Sequence, residues 1–600
     1  LNFAGRKEVQ FPLEGIENAA LQISNEILTT SSTYIAPMLP SMERHLQLRG
    51  QRLRGLAEHL RLTYGPLSEP TRWQLLQDAE KLEAARGIWV NYDERNTREE
   101  GAGEILPNTI VQYMLEPSDA DVSDAVRVWF QKFVPDVGRL VQCAKVALME
   151  RTTRGRRERT ALAVADAEAN DIVISGLQAA FDFRISSAGL YGFDGLIDEK
   201  GILINAQGFP DPWTSPPDLL HAIDEQHEHS IHLIQGLWGP DMDRGKDIVE
   251  KIALQIEELA EVLCRLFTER IRWYEQQPDL DEELKARARD VRERYEKQRG
   301  GWVKPLVGLG RADAAYAITE RYQDFRTLVE LASAELIQVE TTPIDNLDED
   351  QRLLVSQKRT DAVRRLEGYL ERFKAPFAIE FYEYQIENGK LQELLEEFQT
   401  FQGYLTKFLH SSDRYAKLAW IHDASLGEYD RAGETLVRVA LGQEDGLWNK
   451  KVELSMAKLC KLAALPENQA LEALQHMQNW QDEALILIEI QELVYDYLQL
   501  FVRGAIDKEA EVDIVMKEKG RPVEKRLETK KLFKQALERL FNLKILQSEL
   551  LIDLLTLMEA DENFLQSYHA LVALGKSGLP TERYNLAEQS IWRRCYIQNE

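Results

Sequence analysis

The pattern that most limits what this chain can fold into is a spacing of three and four between its apolar residues. In "DIVEKIALQIEELAEVLCRLFTERI", Ile248, Ile252, Ile256, Leu259, Leu263 and Leu266 recur at those steps, which places them on one face of a long helix. A face of that kind must pack on another helix. Similar stripes recur along 600 residues, too many for one hydrophobic core, and the alternation that a strand-rich core would need is missing. Ser118, Ser412 or Asp413, and Thr581 after Pro580 stand where a side chain can cap the free N–H groups of a helix start. The expected fold is all-α, an elongated, irregular α-solenoid of stacked helical pairs.

The main interruption is "RISSAGLYGFDGLIDEKGILINAQGFPDPWTSPP", where glycine and proline are dense and "GILIN" is short and β-like. No continuous helix survives that composition, so an ordered loop with a small hairpin is expected. The chain then divides into a helical block at 1–183, the loop at 184–217, a middle solenoid at 218–410 and a C-terminal block at 411–600 that carries a docking tail. Segments 94–108, 341–350 and 503–526 read as exposed polar insertions.

Three stretches resemble one another: "AYAITERYQDFRTLVELA", "FYEYQIENGKLQELLEEF" and "AWIHDASLGEYDRAGETL". Aligned on Phe325, Leu391 and Tyr429, each has a helix end, a polar turn and a large apolar residue. Leu328, Leu394 or Ala432 follows three residues later. This is helix-turn-helix stacking. The anchors lie 66 and 38 residues apart, whereas a tetratricopeptide array needs a fixed period of about 34. An irregular stack, of the sort that presents extended binding surfaces, fits better.

Composition narrows the function. A formal charge of -27 argues against a broad nucleic-acid footprint, which needs clustered Lys and Arg. The exception is "RTTRGRRERT", with Arg151, Arg154, Arg156, Arg157 and Arg159, read as a solvated face or loop. Apolar residues make up 44% of the chain, yet no run approaches the roughly 18 that a membrane helix needs. Cys143, Cys264, Cys460 and Cys595 are far apart and form no C-x-x-C pair, as expected for reduced thiols in the cytosol or nucleus. The opening "LNFAGRKEVQ" carries neither initiator Met nor signal segment and reads as part of a longer protein.

Chemistry-bearing constellations are few. In "LLHAIDEQHEHSIHLI", His227 is followed four residues on by Ile231, which breaks zincin spacing, although His229 and His232 with Glu225 or Glu228 could offer ligands. Gly308 and Gly310 suit a helix-start turn rather than a dinucleotide site, because no strand precedes them. There is no G-x-S-x-G or Walker loop. The expectation is a non-enzyme with no catalytic residue, cofactor or metal.

From Gln481 to Val502, 14 of 22 residues are apolar and cover nearly every face of a helix. Such a helix is either central to its own domain or shared with a partner. Leu485, Ile488 and Glu492 lie on one face, and Leu487, Val494 and Leu498 nearer the opposite one. The first face is assigned to a partner.

Residues 414–465 carry Trp420-Ile421-His422, Ala432-x-x-Thr435-Leu436, Lys450-Lys451, and Leu-Ser-Met-Ala-Lys-Leu followed by Leu-Ala-Ala-Leu. In order and spacing these resemble the C-terminal helical domain of the nucleoporin 133 family. "AYAITERYQDFRTLVEL" and "SIWRRCYIQNE" are similar to it too, and the first half shares an "LYG" at 190–192. The resemblance implies a pore scaffold of the Y-shaped outer-ring complex at the nuclear envelope. It implies a tail that docks onto nucleoporin 107, beside other outer-ring nucleoporins, and that supports nucleocytoplasmic transport. It also implies a β-propeller elsewhere in the parent protein, which bears the membrane-sensing segment. The piece itself is expected to be monomeric alone and to make no direct membrane contact. A vesicle-coat or tethering α-solenoid is the alternative.

Overall fold

The structure, a computed structural model, describes residues 12–29, 41–64, 67–98, 104–114, 122–153, 159–237, 246–278, 280–342, 348–390, 401–465, 479–559 and 565–599. Ser118, Leu391, Leu394, Arg154, Arg156 and Arg157 lie outside them. Among the described residues no strand occurs, only two isolated antiparallel bridges, Ile197 with Leu203 and Gly446 with Lys544. The fold is all-α. The chain divides into two units, Leu1–Leu366 and Glu367–Glu600.

The first unit holds α1 (Leu13–Thr29), α2 (Ser41–Tyr64), α3 (Glu69–Arg98), α4 (Ile105–Met114), α5 (Val122–Lys132), α6 (Val137–Thr153) and α7 (Arg159–Ser187). After a long loop come α8 (Pro217–Leu237), α9 (Lys246–Gln276), α10 (Glu282–Gly308), α11 (Ala312–Tyr322) and α12 (Phe325–Glu340). The next helix, α13 (Glu349–Phe373), crosses the division. The second unit continues with α14 (Ala375–Glu387), α15 (Gln402–Leu409), α16 (Ala416–Ser425), α17 (Tyr429–Gly442) and α18 (Leu447–Ala463). It closes with α19 (Asn479–Gln499), α20 (Lys508–Lys519), α21 (Leu527–Phe541), α22 (Ser548–Leu557), α23 (Gln566–Gly575) and α24 (Thr581–Asn599).

Local chemistry sets the helix ends. Asp281, Asp324 and Asp507 accept from the N–H groups of Leu284, Thr327 and Ala510, capping α10, α12 and α20. Ser412 caps the short 3-10 turn before α16. Among the described residues, five α-helix ends share one closure, in which a left-handed residue lets the following N–H reach five residues back. The left-handed residues are Gly310, Gln323, Gly389, Gly427 and Leu543. The bonds run from Arg311 to Leu306, Asp324 to Thr319, Lys390 to Gln385, Glu428 to Asp423 and Lys544 to Arg539, at 2.9–3.0 Å. Three of these are the turns whose likeness the sequence shows.

In the first unit, Ile252, Ile256, Leu259, Leu263 and Leu266 of α9 are buried as their spacing predicts. Beside them sits an ion network. The Arg184 guanidinium on α7 donates to both oxygens of Glu80 on α3, at 2.7 and 2.9 Å, to Glu269 on α9 and to the Gly201 carbonyl. Trp213 donates to Glu80, and Thr214 to Glu269. Burial works against the Arg184 charge, but Glu80 and Glu269 outweigh it and hold the guanidinium above its ordinary range. This network fastens the interhelical loop. α7 takes residues 184–187 as its last turn, and the chain beyond is ordered around the Ile197–Leu203 bridge. Asp198 accepts from the N–H groups of Lys200 and Ile202 and pairs with Arg272 of α9 at 2.8 Å.

A second polar cluster joins α7, α8 and α9. Ser230 and Gln226 donate to Asp166 at 2.7 and 3.0 Å, and Asn170 bridges toward Gln255. Burial pushes the Asp166 carboxyl up to about 7, against hydrogen bonds from Ser230, Asn170 and Gln226. The folded state therefore holds this proton more tightly than the unfolded chain. The resulting stabilisation is present below the ordinary carboxylate range and is lost as pH rises through about 7.

Two outcomes follow from these clusters. Arg184→Met leaves Glu80 and Glu269 buried without a cation, which costs about 3–5 kcal/mol; urea denaturation showing an unchanged midpoint would refute this. Asp166→Asn has no proton to lose, so its melting temperature should gain on that of the parent between about pH 5 and pH 8. A difference that stays constant across this range would count against the raised carboxyl.

Candidate docking surface

α16, α17 and α18 form a tight stack in the second unit. Ala432 and Leu436 of α17 meet Ala457 and Cys460 of α18 in a buried cluster, with Trp420 and Ala424 of α16 packed against it. Small residues bring the backbones together: a Cβ on Gly433 would stand 3.3 Å from the Ala457 carbonyl. Around α16, His422 is buried with Nε2 2.8 Å from the Thr406 hydroxyl, and His410 lies 2.9 Å from Asp423. Trp420 and His422 of the Trp-Ile-His motif therefore serve packing, while Ile421 is exposed.

The outer face of α18 carries a line of exposed uncharged side chains. Trp448 is 68% exposed, Val452 41% and Leu459 59%, with Ser455 and Ala463 exposed on the same line. These positions recur at four, three, four and four, so a single uncharged stripe runs down the helix. The inner face is filled by Leu447, Leu454, Ala457 and Cys460. The stripe has a helical period in the sequence, at residues 448, 452, 455, 459 and 463.

α19 lies beside α18 and is buried on two sides by its own chain. Ile488 is 3% exposed, in a cluster with Ala440, Leu447 and Leu454 against which Leu485 packs. Glu492 pairs with Lys451 of α18 at 2.5 Å. On the other side Ile490, Val494 and Leu498 enter the larger core built with α20 to α24. Leu485 and Glu492 thus stand at the seam with α18, and Ile488 beneath it. Gln491 fixes the arrangement, because its amide donates to the Lys544 carbonyl and accepts from the Leu546 N–H.

Segment 503–526 corrects the sequence expectation of an exposed insertion. It forms α20 and a 3-10 turn, with Val512, Val515 and Val523 buried in the core shared with α19. Three valines anchor a stretch whose many charges hide them.

The histidines of α8 serve different ends. His227 is buried, and desolvation holds its imidazole down to about 4. His229 Nε2 lies 3.9 Å from Asp166, while His232 is exposed near Glu228. No group of three metal-ligating side chains occurs among the described residues. Gly308 and Gly310 end α10 and turn the chain into α11. Among the described residues no helix is long and apolar enough to cross a membrane.

Residues 74–600 match the family described as non-repetitive/WGA-negative nucleoporin C-terminal. The chain belongs to this family. Nucleoporin nup132 of Schizosaccharomyces pombe is 28% identical over 466 residues, covering 76% of this chain and 37% of the relative. Nucleoporin NUP133 of Chaetomium thermophilum is 24% identical over 626 residues, covering 100% of this chain and 45% of the relative. The chain thus spans less than half the length of these relatives and falls within the Nup133 group of nucleoporins. Among solved structures, Chaetomium thermophilum Nup170 SOL aligns with 96% of this chain and 71% of its own length, at 12% identity and a TM-score of 0.29.

Within this nucleoporin, Ile488→Asp should act on folding, since it buries an unpaired charge and removes a packed side chain at a cost of several kcal/mol. Gln491→Leu should cost about 1–3 kcal/mol by stranding the Lys544 carbonyl and Leu546 N–H. Thermal melts of both variants that matched the parent would show that α19 is not held from two sides.

Proposed function

We propose that the chain is a non-enzymatic scaffold piece of the nuclear pore complex that docks through its second unit onto nucleoporin 107 in the Y-shaped outer-ring complex, and so supports nucleocytoplasmic transport, mRNA export included. Family membership supports the scaffold role. The observation that carries the docking is the uncharged stripe of Trp448, Val452, Ser455 and Leu459, exposed on a helix whose inner face is already filled. An exposed aromatic with aliphatic neighbours is the composition of an interface anchor. Leu485 and Glu492 extend this surface across the seam with α19, and Ile488 supports it from below. The isolated piece is monomeric in this reading, with the stripe reserved for the partner.

Calorimetric titration of the purified chain with the nucleoporin 107 tail tests the proposal. Trp448→Asp combined with Leu459→Asp should weaken binding by about 30-fold or more, equivalent to about 2 kcal/mol, while the thermal melt stays that of the parent. Undiminished binding by a folded double variant would refute the placement. Failure of the parent chain to bind would refute the partner.

A further inference from the structure

A cavity of about 300 Å³ opens in the first unit between α2, the start of α3 and the 3-10 turn at Ala188–Tyr191. Ala57, Leu60, Leu67, Leu75 and Leu190 supply apolar walls, and Arg61 and Arg72 line it as well. Its size is at the lower end for ligand sites, enough for one large side chain rather than a cofactor. The wall carrying Leu190 to Gly192 is the "LYG" of the sequence, held by Arg72, which donates to the Tyr191 and Gly192 carbonyls at 3.0 and 2.8 Å.

The charge around this opening differs from that of the chain as a whole. Acidic side chains outnumber basic ones 100 to 73, and Arg86, Arg95, Arg184, Arg270, Arg272 and Arg294 each pair with a carboxylate. α2 runs the other way, with five arginines against two glutamates. Arg54, Ala57 and Arg61 share one face of it at steps of three and four. Arg54 and Arg61 are exposed and form no ion pair among the described residues, although Arg61 reaches the Gly189 carbonyl at 3.3 Å. Of the nearby carboxylates, Glu69 lies 3.7 Å from Arg72, Glu17 accepts from the Ser68 N–H, and Asp194 is exposed beside Gly189, while Glu58 is exposed on α2 itself.

We infer that this cavity is a docking site for a short acidic peptide segment of another protein, which inserts one large apolar side chain between Leu60, Leu67, Leu75 and Leu190 and sets its carboxylates on Arg54 and Arg61. Arginine forks bind carboxylates with two parallel bonds, and a cavity with apolar walls beside them rewards an apolar anchor. A peptide with carboxylates alone lacks the anchor, and an apolar peptide leaves both guanidiniums unmatched. Recognition needs both.

The test uses the full chain and a fluorescein-labelled peptide, Asp-Glu-Asp-Phe-Asp-Glu, read by fluorescence anisotropy. Saturable binding is expected. It should weaken at least about 10-fold when the peptide's Phe becomes Ser, and by a similar factor in Arg54→Glu with Arg61→Glu. Ala57→Trp, which fills the cavity, should abolish binding with an unchanged circular dichroism melt. The peptide variant needs no altered protein, so the inference can fail even if Ala57→Trp does not fold. No saturable binding, indifference to the Phe→Ser change, or equal displacement of the peptide by a thymidine oligonucleotide would each overturn it; the last would reveal a surface for polyanions in general.

Discussion

A helix that ends inside a stack has to bond its last carbonyls and reverse direction within two or three residues, and this constraint sets the positions of the helices here. The recurring solution is a left-handed residue followed by an N–H that reaches five residues back. At Gly427 the closure sets Tyr429 as the first residue of α17, and Ala432 then falls three residues on, in the core against Ala457. At Gln323 the same geometry starts α12 at Phe325 and buries Leu328. Two of the five left-handed positions, Gln323 and Leu543, are not glycine. They accept a conformation that disfavours side chains because the bonds around them are complete.

Features of short reach were legible in the sequence. The stripe of α9, the turns at 323 and 427, and the broken composition after residue 187 all depend on neighbours within one or two turns. What the sequence could not supply was the identity of long-range partners. All-round apolarity in α19 fits a helix between two cores of its own domain as well as one shared with another protein. The choice rests on contacts such as that of Gln491 with Lys544 and Leu546, more than 50 residues away. Segment 503–526 misled for the opposite reason, since three buried valines are outweighed in composition by charges that point outward. The stripe of Trp448, Val452 and Leu459 had a readable period, but α18 carries a second apolar line on its inner face, and periodicity alone does not say which line stays exposed.

Charge is used differently inside and outside. Within the first unit, arginine is the cation chosen for burial: Arg49 donates to the carbonyls of Ile27, Leu28 and Phe130, and Arg184 holds two carboxylates from separate helices. A planar guanidinium can satisfy several acceptors in fixed directions, which a lysine ammonium cannot. Such networks give little net stability over an apolar equivalent, yet they penalise any arrangement that separates their members. In the first unit that selects one relative placement of α3, α7, α9 and the loop between α7 and α8.

The outer stripe of α18 gains its meaning from what lies directly behind it. Trp448 follows Leu447, Leu459 precedes Cys460, and Val452 stands two residues before Leu454, so each exposed residue is rooted beside a buried one. Those buried residues belong to the two clusters that join α18 to α17 and to α19. Helices packed on both flanks leave such a surface little freedom to rearrange. Any change that loosens those clusters therefore alters the outer face of α18 as well, so the shape of the stripe depends on the stability of the fold behind it.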